Sequence, residues 1–285
     1  MKQQDALMER ILAYAKRDDR IRIVTLEGSR ANRNVPEDEL QDYDITYFVT
    51  ELDPFVQNEN WLQSFGEIII MQKPEDMELF PPAEKGFSFL MIFADYTKLD
   101  LTVRRVEELD DYFAHDKLVE VLLDKDARIK GEIIPSDEDF HIARPTARSF
   151  DDCCNEFWFV CTYVAKGLCR REILFALDHI NFILRPELLR MIAWRVGLEK
   201  GFNFSLGKNF KYLDKHISPQ LWERLVSTYA LAGYNEAWRA LWTIQQLFRE
   251  VSKEVAALLG CAYPDYDRNI TLYTEAMYRE YWLEG

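Results

Sequence analysis

The spacing of apolar residues changes near residue 145, and this change constrains the fold more than any other feature of the chain. Before it, apolar residues form short β-rich runs separated by turn-like segments. The predicted strands are Ile21–Leu26, Asp44–Val49, Glu67–Met71, Phe87–Phe93 and Leu99–Val103. A helix over Gln4–Lys16 is expected to precede them, with Leu7, Ile11 and Leu12 on one face, and the spacing predicts a further helix over Leu109–Leu123.

After residue 145 the spacing predicts helices almost throughout. The predicted segments are Phe150–Leu168, Arg171–Lys200, Phe210–Lys215, Pro219–Leu231 and Tyr234–Leu259. Pro186 is expected to kink or break the second of them. The charged segment Asp124–Pro145 is expected to connect two domains. We therefore predict an α+β domain followed by a helical one, with the ligand site in a cleft between them.

The composition excludes several classes of protein. Of the 285 residues, 48% are hydrophobic and 29% are charged, which is typical of a globular chain. No apolar run approaches the roughly 18–20 residues of a membrane span, and the first residues lack the apolar region of a signal peptide. The five cysteines are odd in number and show no CxxC spacing. We therefore expect a cytoplasmic protein with reduced thiols, without disulfides or a zinc site.

The net charge of −14 is concentrated in the first half of the chain. Residues 1–140 hold 17 Lys and Arg against 32 Asp and Glu, a net charge of −15, whereas the remaining residues hold 18 against 17. A protein that binds duplex nucleic acid normally carries a basic surface, so that class of partner is disfavoured. An acidic cleft suits a cationic small molecule, and an acidic surface that only maintains solubility is the alternative.

The first predicted strand ends abruptly at Gly28 and Ser29. A glycine allows the backbone to approach a phosphate closely, and a serine offers both a hydroxyl and an N–H to it. Asp42 and Asp44 are two residues apart at the next predicted strand, so their carboxylates are expected to project from one face. Asp100 lies between apolar neighbours on a later strand.

Together these features predict a catalytic site, although each alone is common in proteins without one. Like charges on adjacent strands repel each other unless something positive lies between them. Three carboxylates from two strands, beside a Gly-Ser turn, are therefore expected to hold two Mg²⁺ ions and a nucleoside triphosphate.

The order Gly-Ser, then D-x-D, then a later strand aspartate resembles the DNA polymerase β nucleotidyltransferase superfamily. The flanking sequence resembles the aminoglycoside 6-adenylyltransferases, also called streptomycin adenylyltransferases, over essentially the whole chain. The segments that carry the resemblance are Arg20–Asn34, Gln41–Thr50, Met71–Pro81, Arg144–Gly167, Glu172–His179 and Gly207–Leu213. The Asp42, Asp44 and Asp100 triad shows no departure from the pattern.

The resemblance implies a fold and an activity. The fold is α+β, with a nucleotidyltransferase catalytic domain over residues 1–140 that contains a mixed β-sheet. A helical bundle domain over residues 141–285 would complete the ATP and aminoglycoside sites. The activity is Mg²⁺-dependent transfer of AMP from ATP to a hydroxyl of streptomycin, with release of pyrophosphate and resistance to the antibiotic. The expected partners are ATP and a cationic aminoglycoside, without nucleic acid or a membrane; a monomer is compatible with the sequence, which leaves the oligomeric state open.

The resemblance also implies roles for individual residues. Asp42 and Asp44 would bridge both metal ions, and Asp100 would hold the ion nearer the nucleophile. Gly28 and Ser29 would bind the triphosphate, with Arg30 nearby as a charge partner.

The helical half offers lysines that could neutralise the β- and γ-phosphates. Lys166 and Arg170 share a helical face if the helix continues across Gly167. Lys208, Lys211 and Lys215 recur at three- and four-residue spacing. A solvated basic stripe is the alternative, especially for Lys215.

Streptomycin carries two guanidinium groups, so its pocket should offer carboxylates and flat apolar walls. The candidate carboxylates are Glu75, Asp76, Glu78, Asp152 and Glu156. Trp158 and Trp194 are expected to be core residues rather than stacking platforms.

Asp178 is the expected general base, and Glu156 is the alternative. Asp178 lies at the border of an apolar stripe formed by Leu174, Leu177, Ile180 and Leu184, where a carboxylate is costly without a partner or a function. A structural carboxylate is the alternative there, and the neighbouring His179 is expected to be a hydrogen-bonded structural residue. The same fold with another acceptor (a lincosamide or a protein), or a non-catalytic nucleotide-binding protein, are the other hypotheses.

Overall fold

The first half of the chain forms one sheet of six strands, as the runs of apolar residues predict. A computed structural model describes residues 2–79 and 85–283, with side chains from residue 6 onward. The strands are β1 Ile21–Glu27, β2 Tyr43–Val49, β3 Ile68–Gln72, β4 Phe87–Phe93, β5 Lys98–Arg105 and β6 Val119–Asp124. Their order in space is β3-β4-β5-β2-β1-β6. Only the β2–β5 pair is parallel, so the sheet is mixed.

Helices cover both faces of the sheet. On one face lies helix α1 (Lys2–Arg17), whose Leu7 and Ile11 are fully buried, as the spacing predicts. The turn α2 (Gly28–Ala31) follows β1, and helix α3 (Asp53–Gln57) follows β2. On the other face, helix α4 (Leu109–His115) covers a smaller apolar cluster with Tyr112 at its centre.

The predicted helix over Leu109–Leu123 is wrong in its second half. Helix α4 ends at His115, because the backbone of Asp116 is extended and its side chain accepts the N–H of Leu118. The chain then forms β6, which pairs with β1. Without β6, the backbone groups along that edge of β1 would lack partners, so pairing across the sheet outweighs the local helical spacing.

The second half of the chain is helical, and contacts divide the chain into two units, Met1–Asp139 and Phe140–Gly285. Its helices are α5 Ala147–Cys169, α6 Ile173–His179, α7 Arg185–Lys200, α8 Pro219–Ser227, α9 Tyr234–Leu259 and α10 Tyr266–Met277. Helices α5 and α9 form the centre of the core, where Phe157 stacks on Phe248 at 3.6 Å between ring centroids. Trp158 and Trp194 are both buried, as predicted for core residues.

The predicted helix Arg171–Lys200 is interrupted, as Pro186 suggests, but the interruption precedes the proline. A single π-helical turn, Ile180–Leu184, separates α6 from α7, and Pro186 lies in the first turn of α7. Proline cannot donate to the carbonyl four residues earlier and clashes with it, so the ladder of hydrogen bonds is rearranged in the preceding turn.

Two further predictions of helices differ from the structure, and one helix was missed. Phe210–Lys215 is not a helix, because Asn209 and Phe210 have positive φ angles of 55° and 60° and leave only short 3-10 turns. Helix α8 ends at Ser227, short of the predicted Leu231. Helix α10 was not predicted; an ion pair of 2.7 Å joins its Asp267 to Arg249 of α9.

The structure also bears on the cysteines and on membrane-spanning helices. All five cysteines are free thiols. Among the described residues, no helix combines the length and the apolar character that a membrane crossing requires.

Candidate active site

The parallel pairing of β2 with β5 brings together the carboxylates of two separate sequence segments. Asp44 on β2 lies directly opposite Asp100 on β5, in register. Asp42 immediately precedes β2 and is two residues from Asp44. On the other side of β2, Glu27 at the end of β1 is the register partner of Asp44. Four carboxylates are therefore carried by three neighbouring strands.

Gly28 follows β1 and lies against Asp44. Its φ angle is +66°, a conformation that residues with a Cβ rarely adopt. A Cβ atom built on Gly28 would lie 2.3 Å from Asp44 Oδ2. Both the backbone conformation and the space therefore require glycine here, and Ser29 follows in the first turn of α2.

Lys98 lies between two of the carboxylates. Its Nζ donates to Asp42 Oδ2 at 2.9 Å and to Asp100 Oδ2 at 2.8 Å. Burial alone would lower the pKa of Lys98, but the two hydrogen bonds outweigh it and raise that pKa. The ammonium group therefore remains charged at neutral pH.

Asp44 lies in an unfavourable environment for a carboxylate. Burial, followed by the charges of Asp100, Glu27 and Asp42, raises the pKa of Asp44 to about 6. Lys98 opposes this shift without cancelling it. A cation at Asp44 would remove the repulsion, which makes the site electrostatically suited to binding one.

A buried hydrogen-bond network holds Glu27 beside Asp44. The hydroxyl of Tyr112 donates to Glu27 Oε1, and the hydroxyl of Thr25 lies 3.0 Å from that of Tyr112. Burial raises the pKa of Glu27, although hydrogen bonds from Thr46 and Tyr112 oppose the shift. The network links Tyr112 of α4 to Glu27 at the end of β1. It therefore holds in place the residue that precedes the turn at Gly28.

Arg30, a predicted partner of phosphate, is engaged with the chain itself. It donates to the carbonyl oxygens of Asp42 at 2.9 Å and Gln41 at 2.7 Å, and its guanidinium lies 3.9 Å from the centroid of the Tyr43 ring. These contacts position the segment that carries Asp42. The structure therefore indicates a bracing role for Arg30.

The lysines predicted to bind phosphate occupy two places in the helical unit. Helix α5 continues across Gly167, so the condition for Lys166 is met, and Lys166 is half-buried. Arg170 is exposed at the end of that helix. Lys208 and Lys211 are exposed on the turn after Gly207, not on a helix. The Tyr212 ring lies 5.0 Å from Lys211 Nζ and 4.6 Å from Lys215 Nζ.

The carboxylates predicted to bind guanidinium groups differ in their exposure and in their hydrogen-bond and ion-pair partners. Glu75 accepts the N–H of Ser88 with Oε2, while its Oε1 is buried without a hydrogen-bond partner among the described residues. Asp76 pairs with Lys73 at 2.9 Å, and Glu78 is exposed. The related segment Met71–Pro81 ends at Phe80 and Pro81, which lie outside the described residues.

On the helical unit, Asp152 is exposed on α5 and pairs with Arg148 at 3.0 Å, and Glu156 is exposed one turn later. Asp178 is exposed at the end of α6. The burial argument for Asp178 is wrong, because Leu174 of the supposed apolar stripe is 75% exposed. His179 is hydrogen-bonded as expected, with Nδ1 at 2.7 Å from the carbonyl oxygen of Phe175.

The carboxylates at β2 and β5 fit a hard cation in chemistry, although a lysine lies among them. Within residues 6–79 and 85–283, no group of three or more His, Cys, Asp or Glu side chains is arranged to hold a metal ion. Asp100 Oδ1 is nonetheless buried and without a hydrogen-bond partner among these residues, and carboxylate oxygens are the ligands that Mg²⁺ prefers. The donor set therefore suits Mg²⁺ once the lysine leaves.

The sequence prediction missed Lys98, Glu27 and Tyr112. A signal for Lys98 exists, because it lies two residues before Asp100 and so shares a face of the strand. Glu27 immediately precedes the Gly-Ser pair, but nothing in the sequence indicates that Tyr112 lies against it.

Comparisons with known proteins give a consistent result. The sequence model of the family described as streptomycin adenylyltransferase matches residues 1–277. The aminoglycoside 6-adenylyltransferase of Campylobacter jejuni is 54% identical over 284 residues, which cover 100% of this chain and 99% of that protein. The Bacillus subtilis (strain 168) protein of the same name is 55% identical over 281 residues, covering 98% and 99%. A crystal structure of an aminoglycoside 6-adenyltransferase from Bacillus subtilis is 51% identical and covers 95% of this chain and 97% of that one, with a TM-score of 0.49.

Proposed function

The chain belongs to the streptomycin adenylyltransferase family, and from this premise we propose that it transfers AMP from ATP to a hydroxyl of streptomycin, releasing pyrophosphate. Its relatives named aminoglycoside 6-adenylyltransferase match it over nearly their whole length. These matches identify the chain as an enzyme, a nucleotidyltransferase that acts on an aminoglycoside. ATP as the donor, streptomycin as the acceptor and the requirement for Mg²⁺ are the finer parts of the proposal.

The observation that carries the proposal is the pairing of Asp44 with Asp100 beside the turn at Gly28. A protein that only bound a nucleotide would not require several carboxylates at one point, where they repel each other and raise the pKa of Asp44. Such an arrangement destabilises the fold, so its presence supports a catalytic role.

Asp42, Asp44 and Asp100 would hold Mg²⁺. When bound, Mg²⁺ would supply Lewis-acid chemistry at the α-phosphate and at the attacking and leaving oxygens. The absence of a side chain at Gly28 keeps the backbone beside Asp44 open to a phosphate, and Ser29 adds a hydroxyl and an N–H.

The helical unit would contribute the positive charges for the triphosphate. Lys208 and Lys211 are exposed, and Lys166 is half-buried, so their ammonium groups are available to phosphate oxygens. Lys215, which is exposed beside Tyr212, is a further candidate for this role, and a solvated basic stripe is the alternative for it. Arg30 would act on the nucleotide indirectly, by holding Asp42 in place.

Carboxylates would bind the guanidinium groups of streptomycin. Glu156 and Glu78 are exposed and have no ion pair among the described residues, whereas Asp76 and Asp152 would exchange Lys73 and Arg148 for the antibiotic. Glu75 would contribute Oε1, which is buried and has no hydrogen-bond partner in the described part of the chain. Asp178 would take the proton from the acceptor hydroxyl, and Glu156 is the alternative base.

The test is to incubate the protein with ATP, Mg²⁺ and a panel of aminoglycosides and lincosamides, and to measure the mass of each acceptor. We expect streptomycin to gain one AMP unit while pyrophosphate is released. Asp42→Asn should abolish the gain, because it removes a cation ligand. Asp19→Asn is the matched control, since Asp19 is an exposed aspartate of the same unit, and it should retain full transfer.

Transfer of AMP to an acceptor other than streptomycin would overturn the proposed substrate, but it would still support AMP transfer as the reaction. A mass gain by the protein itself would indicate a protein acceptor. No transfer to any acceptor, with ATP still bound, would indicate a non-catalytic nucleotide-binding protein.

A further inference from the structure

The position of Lys98 is not explained by the reaction alone. Its ammonium lies within 2.9 Å of Asp42 and 2.8 Å of Asp100, so one cation already joins two of the three proposed Mg²⁺ ligands. The Asp100 side chain is only 26% exposed and that of Lys98 is 34% exposed, so water screens this contact incompletely.

We propose that Lys98 is a built-in counter-ion of the free enzyme, and that its ammonium must leave Asp42 and Asp100 before a divalent cation binds there. The inference rests on the proposed function only in taking these two aspartates as cation ligands. Lys98 thereby sets the affinity of the site for a free metal ion.

The electrostatics of the site explain why such a counter-ion would be needed. Asp42, Asp44, Asp100 and Glu27 lie on neighbouring strand ends, and without a cation their charges repel. A lysine ammonium is charged across the physiological range, and that of Lys98 lies against one oxygen of Asp42 and one of Asp100. A divalent cation that enters must therefore displace a charged group from two oxygens.

Lys98 satisfies only part of the Asp100 carboxylate, so a divalent cation could replace it there. Lys98 bonds to one oxygen of Asp100, while the other oxygen, Oδ1, is buried without a partner among the described residues. A divalent cation can satisfy more carboxylate oxygens than one ammonium can, and it carries twice the charge. An incoming triphosphate would offer the released ammonium another anionic partner, so the metal ion is expected to bind more weakly alone than with ATP.

Lys117 provides a matched control. It also bridges two acidic residues of the same unit, Glu138 and Asp139, but both partners are about half exposed. Water screens an exposed pair strongly, and removing it has little effect. Replacing Lys117 therefore removes a bridging lysine without touching the strand carboxylates.

The experiment is a titration of the full-length protein with Mn²⁺, without nucleotide or aminoglycoside, in which electron paramagnetic resonance measures the free ion. We expect Lys98→Met to bind Mn²⁺ about tenfold more tightly than the wild type, because no ammonium must be displaced. Lys98→Arg keeps the charge and should stay within about threefold of the wild type. Lys117→Met should not change the affinity.

Thermal unfolding in a chelator gives a second readout. Lys98→Met should unfold at a lower temperature than the wild type, and added Mg²⁺ should stabilise the variant more than the wild type. Circular dichroism checks that each variant is folded, and Lys98→Gln repeats the test if the methionine variant is not. A purely structural Lys98 would lower the unfolding temperature without changing Mn²⁺ affinity, and that result would overturn the inference.

The outcomes separate this inference from the proposed function. Unchanged or weaker Mn²⁺ binding by Lys98→Met overturns the inference, even where the wild type adenylylates streptomycin. Saturable binding by neither protein also overturns it. Tighter Mn²⁺ binding by Lys98→Met in a protein that adenylylates nothing would support the inference and count against the function.

Discussion

Gly28 offers a residue-scale test of the site, because a single methyl group is expected to disturb it. Gly28→Ala places a Cβ where Asp44 Oδ2 now lies, 2.3 Å away, so Asp44 or the turn must move. We expect transfer to fall by about 100-fold or more, since catalytic groups tolerate little misplacement. The measurement is kcat at saturating ATP and streptomycin.

Gly260 provides the matched control for this substitution. Its φ angle of +68° is nearly that of Gly28, but a Cβ there would meet no atom of the described residues within 4 Å. Gly260→Ala should cost about 1–2 kcal/mol of stability from backbone strain alone and should leave kcat unchanged. Equal losses of activity in both variants would show that strain, rather than contact with Asp44, causes the defect.

Asp44 should make the stability of the metal-free protein depend on pH. Its pKa is raised from 3.8 to about 6 in the folded state. This carboxyl therefore contributes stability at low pH that is lost as the pH rises through about 6. In a chelator, Asp44→Asn should have a higher free energy of unfolding than the wild type at about pH 7.5, by at most about 3 kcal/mol, but not at about pH 4. Thermal unfolding at the two pH values measures the difference.

The same Asp44→Asn variant should be inactive, because it lacks a proposed cation ligand. Asp19→Asn controls for the loss of one negative charge. Retained turnover within a few-fold of the wild type, or an unfolding temperature below that of the wild type at about pH 7.5, would contradict this account of Asp44.

Asp178 and Glu156 are distinguished by kinetics, since both are exposed and the structure gives neither the buried environment expected of a base. Loss of a general base should lower kcat by about 10²–10⁴ with little change in streptomycin affinity. Loss of a guanidinium contact should mainly raise KM. We expect the first pattern for Asp178→Asn and the second for Glu156→Gln, with ATP saturating; the reverse pattern would exchange their roles.

At the scale of secondary-structure elements, Arg185 links α7 to α8. It is 3% exposed and donates to the carbonyl oxygen of Thr228 at 3.1 Å, at the end of α8, and to Asn181 at 3.3 Å. The guanidinium also lies 3.5 Å from the centroid of the Tyr229 ring. Burial lowers the pKa of Arg185, so the negative end of the α8 dipole and these contacts must compensate for the buried charge.

Arg185→Ala should destabilise the protein by about 2–4 kcal/mol, because it leaves a cavity and an unpaired buried carbonyl group. Thermal unfolding followed by circular dichroism measures the loss. Arg190→Ala is the control on the same helix, since Arg190 is half exposed and its ion pair among the described residues is with Glu187 of its own helix. It should cost less than about 1 kcal/mol; comparable losses in both variants would contradict the role of Arg185.

At the scale of the whole molecule, the charge asymmetry should govern streptomycin binding. Residues 1–140 carry a net charge of −15 and the rest of the chain +1. Near physiological ionic strength, charges are screened over about 8–10 Å. Streptomycin affinity, measured by calorimetry, should therefore fall as salt rises, whereas nucleotide binding should depend on Mg²⁺, Lys166 and Lys211. Salt-independent streptomycin affinity would count against an acidic acceptor pocket.

Much of the site could be predicted from the sequence, because its chemistry depends on residue types at short spacing. Gly28 before Ser29, and Asp42 two residues from Asp44, are local patterns that predict both the turn and the shared face. Asp178 and the lysines after Gly207 show where this reasoning fails. Periodicity assigned Asp178 to an apolar border, but the exposure of Leu174 depends on which helices pack nearby.

The amino-acid sequence by itself determined the α+β class, five of the six strands and the family, since these follow from periodicity and local motifs. The triad of aspartates as a cation site remains a prediction. Only the tertiary structure decided that residues 119–124 are a strand, because the open edge of β1 supplies their hydrogen-bond partners. It also decided that Lys98 lies between Asp42 and Asp100, and that Tyr112 supports Glu27 from α4. These contacts join residues up to 85 positions apart, and no local pattern encodes which distant side chain will lie against a given carboxylate.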